Sequence, residues 1–511
     1  MGFKSILFPG AAGETVDPAE ETADFYGDLR LNEVFAAVVE GREDYDLVPF
    51  FRLPLRTADE VAYRHEVLRD LADEGLRGHV ETFASAMRGV RTQLAQMGKL
   101  HYRYQRAIWF LGAVVDYCGS VRTLAGNLPH AAASSGGMVG FAAYLRSYTD
   151  SGTFTALASE SRRLREGLRD VAYRVQIKGN RVAVGAYEPD ADYSREIEQT
   201  FSRFRQGGVN DYSVVFPSFP EMNHVEAEVL ERVAKLHPDL FASLVAFAYG
   251  RQAFLDETLV RFDREVQFYL AYLAFAGRLE AAGLSFCLPE VHSAGKAVAA
   301  ERTFDLALAE SLLKAGGHVV CNDFHLQGVE RVFVVSGPNQ GGKTTFARTF
   351  GQLHHLGRLG LPVPGRRARL LLCDRIFTVF ARSEQLEDQR GRLQGELERL
   401  REILADATDR SILIMNETFS STTLQDARLL GEAVLGRVIR KDMLCVYVTF
   451  VDELSTLGDE TVSMVGTVDL EDPTMRTYEI LRHPPDGLAY AMALARKHRL
   501  TYDMLQRRLA R

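Results

Sequence analysis

Residues 337–344 read Gly-Pro-Asn-Gln-Gly-Gly-Lys-Thr, which fits the spacing G-x-x-x-x-G-K-[ST]. Such a run can cradle phosphate. Its glycines let backbone amides converge on phosphate oxygens, Lys343 reaches the β- and γ-phosphates of a nucleotide, and the hydroxyl of Thr344 can hold magnesium. Chance produces the pattern in roughly one chain in fifty of this length, so its context decides. The apolar run Val332, Phe333, Val334, Val335, Ser336 precedes it as a strand, and a helical stretch follows at 345–359. About 70 residues on, the apolar run Ser411, Ile412, Leu413, Ile414, Met415 leads into Asn416 and Glu417. In proteins that hydrolyse nucleotides on such a loop, this second strand ends in an Asp that helps to hold magnesium, and a following Glu positions or deprotonates the attacking water. Here the Asp position is Asn416. An amide accepts a hydrogen bond from a magnesium-bound water but carries no charge, so it holds the ion less strongly.

These residues need a scaffold in which strands alternate with helices, and the chain takes on that pattern from about residue 303. The stretch 444–449 reads as a further strand buried on both faces. From 28 to 283 helical periodicity dominates instead. Thr57 and Glu60 form a capping box, which predicts a helix starting near Arg56 with Val61, Val67, Leu68 and Leu71 on its apolar face. Val225, Val229, Val233 and Leu236 make one apolar stripe, and Leu255, Leu259, Phe262, Val266 and Leu270 make another, with Pro238 separating or kinking the helices. Between them, Tyr173, Val175 and Ile177 alternate with polar residues up to the turn at 178–181, then Val182 and Val184 alternate again: a β-hairpin. The stretch 162–181 holds seven basic residues against two acidic ones, Arg174, Lys178 and Arg181 among them. It reads either as a solvated helix face or as a tip that touches phosphates. His354 and His355 read as packing or surface residues, Glu396 as part of a solvated charged face, and Tyr102, Tyr104 and Trp109 as buried in the helical core.

A chain of 511 residues exceeds the roughly 250–300 at which single cores stop growing, so two or three domains are expected. With 46% hydrophobic and 25% charged residues it has the make-up of a globular protein. The net charge of -8 argues against indiscriminate coating of nucleic acid, although a local basic surface still fits it. The longest apolar stretches, 240–249 and 266–276, fall short of the roughly 20 residues that span a bilayer and are read as buried helices, so no membrane association is expected. The first ten residues lack the apolar core of a secretory signal, which predicts a cytoplasmic location. Cys118, Cys287, Cys321, Cys373 and Cys445 are odd in number and far apart, the pattern of reduced thiols.

The run GPNQGGKTT at 337–345 resembles the GPN-x-GGK-[ST]-T loop of the MutS family of mismatch-repair ATPases, whose Pro-Asn pair sets it apart from most phosphate loops. Further matches follow in order. ILADATDRSILIMNE at 403–417 is similar to the family's segment into its acidic strand end, SSTTLQD at 420–426 stands at its Gly-Thr-Ser loop, and VTFVDEL at 448–454 resembles its Ala-Thr-His-Tyr segment. GLAY at 487–490 and the final helices resemble its dimerisation element, so that about 190 residues are covered. Leu53-Pro-Leu55 and Tyr63-Arg-His-Glu66 are similar to its lever region, and the hairpin sits where its clamp would. There are departures too. Asn416 replaces the acid, Phe450 stands at the family's His, Gly391 and Arg392 at its dimer-contacting Ser-Thr pair, and Val319 at its adenine-stacking aromatic.

The resemblance implies an α/β ABC-type P-loop ATPase domain at 291–480, preceded by a mainly α-helical lever and core region at 28–290 with a clamp-like insertion at about 160–222. It further implies an amino-terminal segment at 1–27 and a helical dimerisation element at 481–511. ATP and Mg2+ are the cofactors implied. Gly337, Pro338, Asn339, Gln340, Gly341, Gly342, Lys343, Thr344 and Thr345 would bind the nucleotide, Thr344 and Asn416 the metal, and Glu417 would act on water. Without the His, and with an amide for the acid, hydrolysis should be slow. Phe25-Tyr-Gly-Asp28 is not the family's Phe-x-Glu wedge, so a short member without mismatch-recognition and connector domains, or a nuclease-like extension, is expected. The function implied is a homodimeric, nucleotide-gated clamp on double-stranded DNA, with Arg174, Lys178 and Arg181 as candidate contacts. The alternative is a nucleotide-binding switch with little hydrolysis that binds RNA, a ribosome or another protein.

Overall fold

The continuous apolar runs of the second half form the inner strands of a six-stranded sheet, and their lack of alternation has a simple cause: both faces are covered. In the computed structural model, which describes residues 3–10, 23–131, 133–179, 181–187, 222–381, 389–469, 472, 475–484 and 500–509, the strands in chain order are as follows. The hairpin is β1 (Tyr173–Lys178) and β2 (Arg181–Ala186). After it come β3 (Phe286–Cys287), β4 (Glu290–His292), β5 (Val298–Thr303), β6 (Asn322–Leu326), β7 (Val332–Ser336), β8 (Val363–Pro364) and β9 (Arg367–Leu371). The last five are β10 (Ile376–Phe380), β11 (Ile412–Asn416), β12 (Leu444–Val448), β13 (Thr461–Val468) and β14 (Arg476–Arg482). The large sheet runs β10-β11-β12-β7-β13-β14, parallel except for β14. A smaller sheet has the order β4-β9-β5-β6, and β3 pairs with β8.

One face of the large sheet, with Val334, Leu413, Met415 and Tyr447, packs on Leu400, Ile403 and Leu404 of the helix Gln389–Asp406 and on Leu435 and Val438 of the helix Leu424–Arg440. The helix Lys343–Arg358 covers the other face, where Phe333 meets Phe346 and Phe350 edge-on. Parallel strands buried on both sides are what such runs specify.

By contacts the chain divides into two units, Met1–Phe3 with Asp70–Asp263, and Lys4–Arg69 with Arg264–Arg511. The stretch 23–69 therefore supplies partners to the second-half sheet. Gln352 donates to the Leu29 carbonyl (2.9 Å), Arg348 to the Asp28 carbonyl (3.1 Å), and Thr378 to the Asp28 carboxylate (2.6 Å). A Cβ on Gly351 would lie 2.6 Å from Leu29 Cδ1 and 2.7 Å from Ile414 Cδ1, so only glycine lets the helix sit this close to both. Thr57 and Glu60 exchange the expected capping hydrogen bonds at the start of the helix Ala58–Ala72, with Val61, Val67, Leu68 and Leu71 buried.

His354 and His355 are packing residues. Both are fully buried, the first bonded to the Phe350 carbonyl (2.8 Å) and the second to the Phe51 carbonyl (2.9 Å). Burial pushes their pKa values down to about 4 and about 3, and that of His65 to about 4. These three side chains stay neutral in the folded unit while their unfolded counterparts protonate near pH 6.5. Stability is thus fully present above pH 6.5 and is lost as pH falls toward 4, by about 1.4 kcal/mol per unit of displacement for each group. Denaturant unfolding should show a midpoint that falls between pH 7 and pH 5; a level midpoint would contradict this.

The first unit is helical. Its core joins Val80, Phe83 and Met87 of the helix Glu74–Met97 to Phe141 and Phe262, whose rings stack. Buried Asp263 is paired with Arg91. His224–Leu236 and Pro238–Gly250 are separate helices divided at Pro238 as expected, the proline serving as a first-turn residue. The first stripe is only partly buried: Val233 faces the core, while Val225 and Leu236 are exposed. Tyr102 also departs from expectation. It stands just before the helix Arg103–Asn127 and is exposed, while Tyr104 and Trp109 are half-buried.

The hairpin forms with Lys178 opposite Arg181 and Arg174 opposite Gly185. All three cations are exposed and, by the two-residue period of a strand, share one face; Tyr173, Val175 and Ile177 take the other. The rest of the insertion, 188–221, lies outside the described residues, as do Asn180 and the GLAY run at 487–490; of 481–511, only 481–484 and 500–509 are described. Among the described residues no helix is long and apolar enough to cross a membrane, and all five cysteines are free.

Candidate functional site

Register brings the two motifs together. Asn416 on β11 is level with Val448 on β12, and Val448 with Val335 on β7, so the carboxyl ends of the three parallel strands share one edge of the sheet. The loop after β7 and the turn after β11 both leave from that edge, where ligands of open α/β sheets gather.

The loop has the backbone that its glycines permit. Gly337 and Gly342 have φ of 115° and 93°, and Gln340 has φ of 60°. A Cβ on Gly337 would lie 2.8 Å from both the nitrogen and the oxygen of Gly466 on β13, and one on Gly341 would lie 3.0 Å from the Pro338 carbonyl. The helix Lys343–Arg358 starts directly after Gly342, so its first amides face the loop. Lys343 is buried, and its ammonium donates to the carbonyls of Gly337 (2.9 Å) and Pro338 (3.1 Å) and to Asn339 Oδ1 (3.3 Å). Burial lowers its pKa, and the charges of Glu417 and Asp452 act the other way. Thr345 follows, half-buried, in the first helical turn.

Thr344 Oγ1 donates to Asn416 Oδ1 at 2.8 Å, across 72 residues of chain. Two oxygens that a hard cation accepts thus lie side by side. Glu417 follows in a strained turn. Glu417 and Phe419 have φ of 54° and 66°, a region that costs a non-glycine residue about 1 kcal/mol or more. The Glu417 amide donates to the Val448 carbonyl (2.9 Å), Thr418 Oγ1 to the Val379 carbonyl (3.2 Å), and Tyr447 to the Thr418 carbonyl (3.1 Å).

Of the residues predicted to work on a nucleotide, those from 337 to 345, Asn416 and Glu417 belong to one edge of one sheet. Arg174, Lys178 and Arg181 lie on the hairpin of the other unit. Phe450, at the end of β12, is half-exposed, Val319 is buried, and Gly391 is exposed on the helix Gln389–Asp406.

Three residues of the site escape sequence reasoning. Glu396 is not on a solvated face: it is half-buried and accepts from the Phe419 amide at 2.9 Å, because the helix carrying it lies against the turn after β11. Arg476 Nε donates to the Asn339 carbonyl (3.3 Å). Tyr478, with φ of 63°, borders the loop, since a Cβ on Gly342 would come within 3.5 Å of its carbonyl; the Asn322 side chain holds the Tyr478 carbonyl (3.1 Å) and the Ile480 amide (2.7 Å). The charged run around Glu396 carries no local mark of this contact, and β14 has none either.

Residues 333–494 match the family model of MutS domain V. Endonuclease MutS2 of Gemmatimonas aurantiaca is 30% identical over 199 residues, 38% of this chain and 24% of that protein. Endonuclease MutS2 of Thermus thermophilus is 30% identical over 193 residues, 37% of this chain and 25% of that protein. DNA mismatch repair protein MutS of Erythrobacter litoralis is 31% identical over 227 residues, 42% of this chain and 26% of that protein. The matched stretch spans about a quarter of the length of these relatives. Over this carboxy-terminal part, the chain is similar to proteins of the MutS family.

Proposed function

We propose that the chain binds ATP on the loop 337–345 and hydrolyses it slowly, in the service of mismatch repair or a related reaction of DNA metabolism. The observation that carries this reading is the hydrogen bond between Thr344 and Asn416, which joins the loop to the strand end bearing Glu417. In this reading the amides of Gly337, Asn339, Gln340, Gly341, Gly342 and Thr345 hold phosphate oxygens, Pro338, which has no N–H, fixes the backbone between them, and Lys343 exchanges its carbonyl partners for the β- and γ-phosphates. Thr344 and Asn416 offer oxygens that fit magnesium. Bound there, the ion would neutralise charge on the phosphates. Glu417 positions the attacking water and takes its proton. Asn416 supplies an oxygen without a charge, which favours slow turnover.

The nucleotide domain is assigned to 291–480, the lever region to 28–290, and a dimerisation element to 481–511. The chain works as a homodimer on double-stranded DNA, with Arg174, Lys178 and Arg181 on the exposed cationic face of the hairpin as contacts. The names of the relatives, endonucleases and mismatch repair proteins, support a DNA-directed role.

A second reading has one observation in its favour, the neutral amide at Asn416. It is a nucleotide-gated switch with little hydrolysis, whose partner is RNA, a ribosome or another protein. Binding alone drives such a switch if ATP prefers one conformation. ATP binding and steady-state turnover, measured with and without duplex DNA for the unaltered chain and for Lys343→Ala, separate the two. We expect turnover that responds to DNA, and in Lys343→Ala at least a tenfold loss of affinity with no turnover. ATP binding without turnover would leave the switch; no binding at all would remove both.

A further inference from the structure

The turn that carries Glu417 is held from a direction that its own sequence does not reveal. Glu417 and Phe419 both adopt left-handed φ, and Phe419 is fully buried. Non-glycine residues keep such a backbone only where their surroundings over-determine it. Three of the restraints come from the sheet itself: the Val448 carbonyl on the Glu417 amide, the Val379 carbonyl on the Thr418 hydroxyl, and the Tyr447 hydroxyl on the Thr418 carbonyl. The fourth comes from outside it. Glu396, on the helix Gln389–Asp406, accepts the Phe419 amide at 2.9 Å, which makes this the one charge-assisted bond among the four.

We propose that Glu396 is a positioning residue for Glu417. It rests on the reading that Glu417 acts on water at an ATP site. Glu396 holds the Phe419 amide, the next amide, that of Ser420, closes back on the Glu417 carbonyl (3.3 Å), and together these bonds fix one conformation of the turn. In it the Glu417 carboxylate lies near enough to Lys343 for its charge to bear on the ammonium. Without the acceptor, the Phe419 amide is left unsatisfied in a buried place, and the turn relaxes toward ordinary backbone. Glu417 then leaves the orientation that serves water. Phosphate binding depends on loop amides and Lys343 and is untouched.

The experiment compares Glu396→Ala and Glu396→Gln with the unaltered full-length chain by ATP affinity, steady-state turnover with saturating ATP, and hydrogen exchange of the amides at 417–420. Glutamine keeps an oxygen that can accept the Phe419 amide. The expected result is a turnover at least tenfold lower in Glu396→Ala, ATP affinity within twofold, and exchange at 417–420 at least tenfold faster, with Glu396→Gln near the unaltered chain in all three. An Ala variant with turnover within twofold, an affinity loss equal to its turnover loss, or a Gln variant as impaired as the Ala variant would each overturn the proposal. If the unaltered chain shows no turnover, the hydrolytic reading falls instead. Exchange in the two variants then decides whether Glu396 holds the turn, and unchanged exchange overturns that as well.

Discussion

Glu417→Gln lowers steady-state ATP turnover by about 10²- to 10⁴-fold and leaves ATP affinity within a few-fold, the signature of losing a general base and no more. The substitution is nearly isosteric. The bonds that shape the turn use the backbone of Glu417 and its neighbours, so the left-handed geometry survives the change. What is lost is a carboxylate able to take a proton from water. A second effect has a known direction: the Glu417 charge raises the pKa of Lys343, so its removal lowers the proton affinity of that already desolvated ammonium. Turnover against pH in the unaltered chain and the variant checks the claim. Equal rates in both would take Glu417 out of the chemistry and favour the nucleotide-gated switch.

Gly337→Ala should destabilise the second unit by at least about 3 kcal/mol and abolish ATP binding. Two costs combine. At φ of 115° an L side chain is strained wherever it points, and here its Cβ would sit 2.8 Å from two backbone atoms of Gly466. Backbone cannot swing aside as a side chain can, and Gly466 belongs to β13, which pairs with β7 in the interior of the sheet. Relief requires the strands to part just where the loop begins. Gly277→Ala is the matched control, since a Cβ there meets nothing within 4 Å inside the helix Glu257–Ala281; it should be neutral or stabilise by up to about 1 kcal/mol. Denaturant unfolding and binding of a fluorescent ATP analogue decide. A Gly337→Ala chain as stable as the control would mean that the loop is not packed against β13.

How much of this could be read from the residues follows from how far apart the interacting groups lie. The loop is legible because its glycines, Lys343 and Thr344 act within eight consecutive positions, and the strands before and after it announce themselves as short apolar runs. The capping box at Thr57 and Glu60 and the hairpin at Tyr173–Lys178 and Arg181–Ala186 are local in the same sense. Asn416 and Glu417 can be found because they end a strand, and register then makes the Thr344 contact. Glu396 is invisible by the same logic. Its charged helical run looks solvated, and only the packing of that helix against the turn after β11 gives its carboxylate a partner. Asn322 and Tyr478 meet across 156 residues, and no periodicity marks either. Nor does the amino-terminal sequence say that Asp28 and Leu29 belong to a sheet formed by the second half.

That last pairing sets a timetable for the making of the protein. Asp28 meets Arg348 and Thr378 across 320 and 350 residues, and synthesis at about 5–20 residues per second separates the emergence of the two sides by roughly 15–70 s. For that interval Phe25, Leu29, Val34 and Phe35, all buried in the finished unit, leave the ribosome with no sheet to cover them. Contacts of such long range also slow the final collapse, because the loop must close before any of them forms. A nascent chain of this design therefore depends on shielding of its first seventy residues, and its yield on folding should respond to chaperone supply more than its finished stability does.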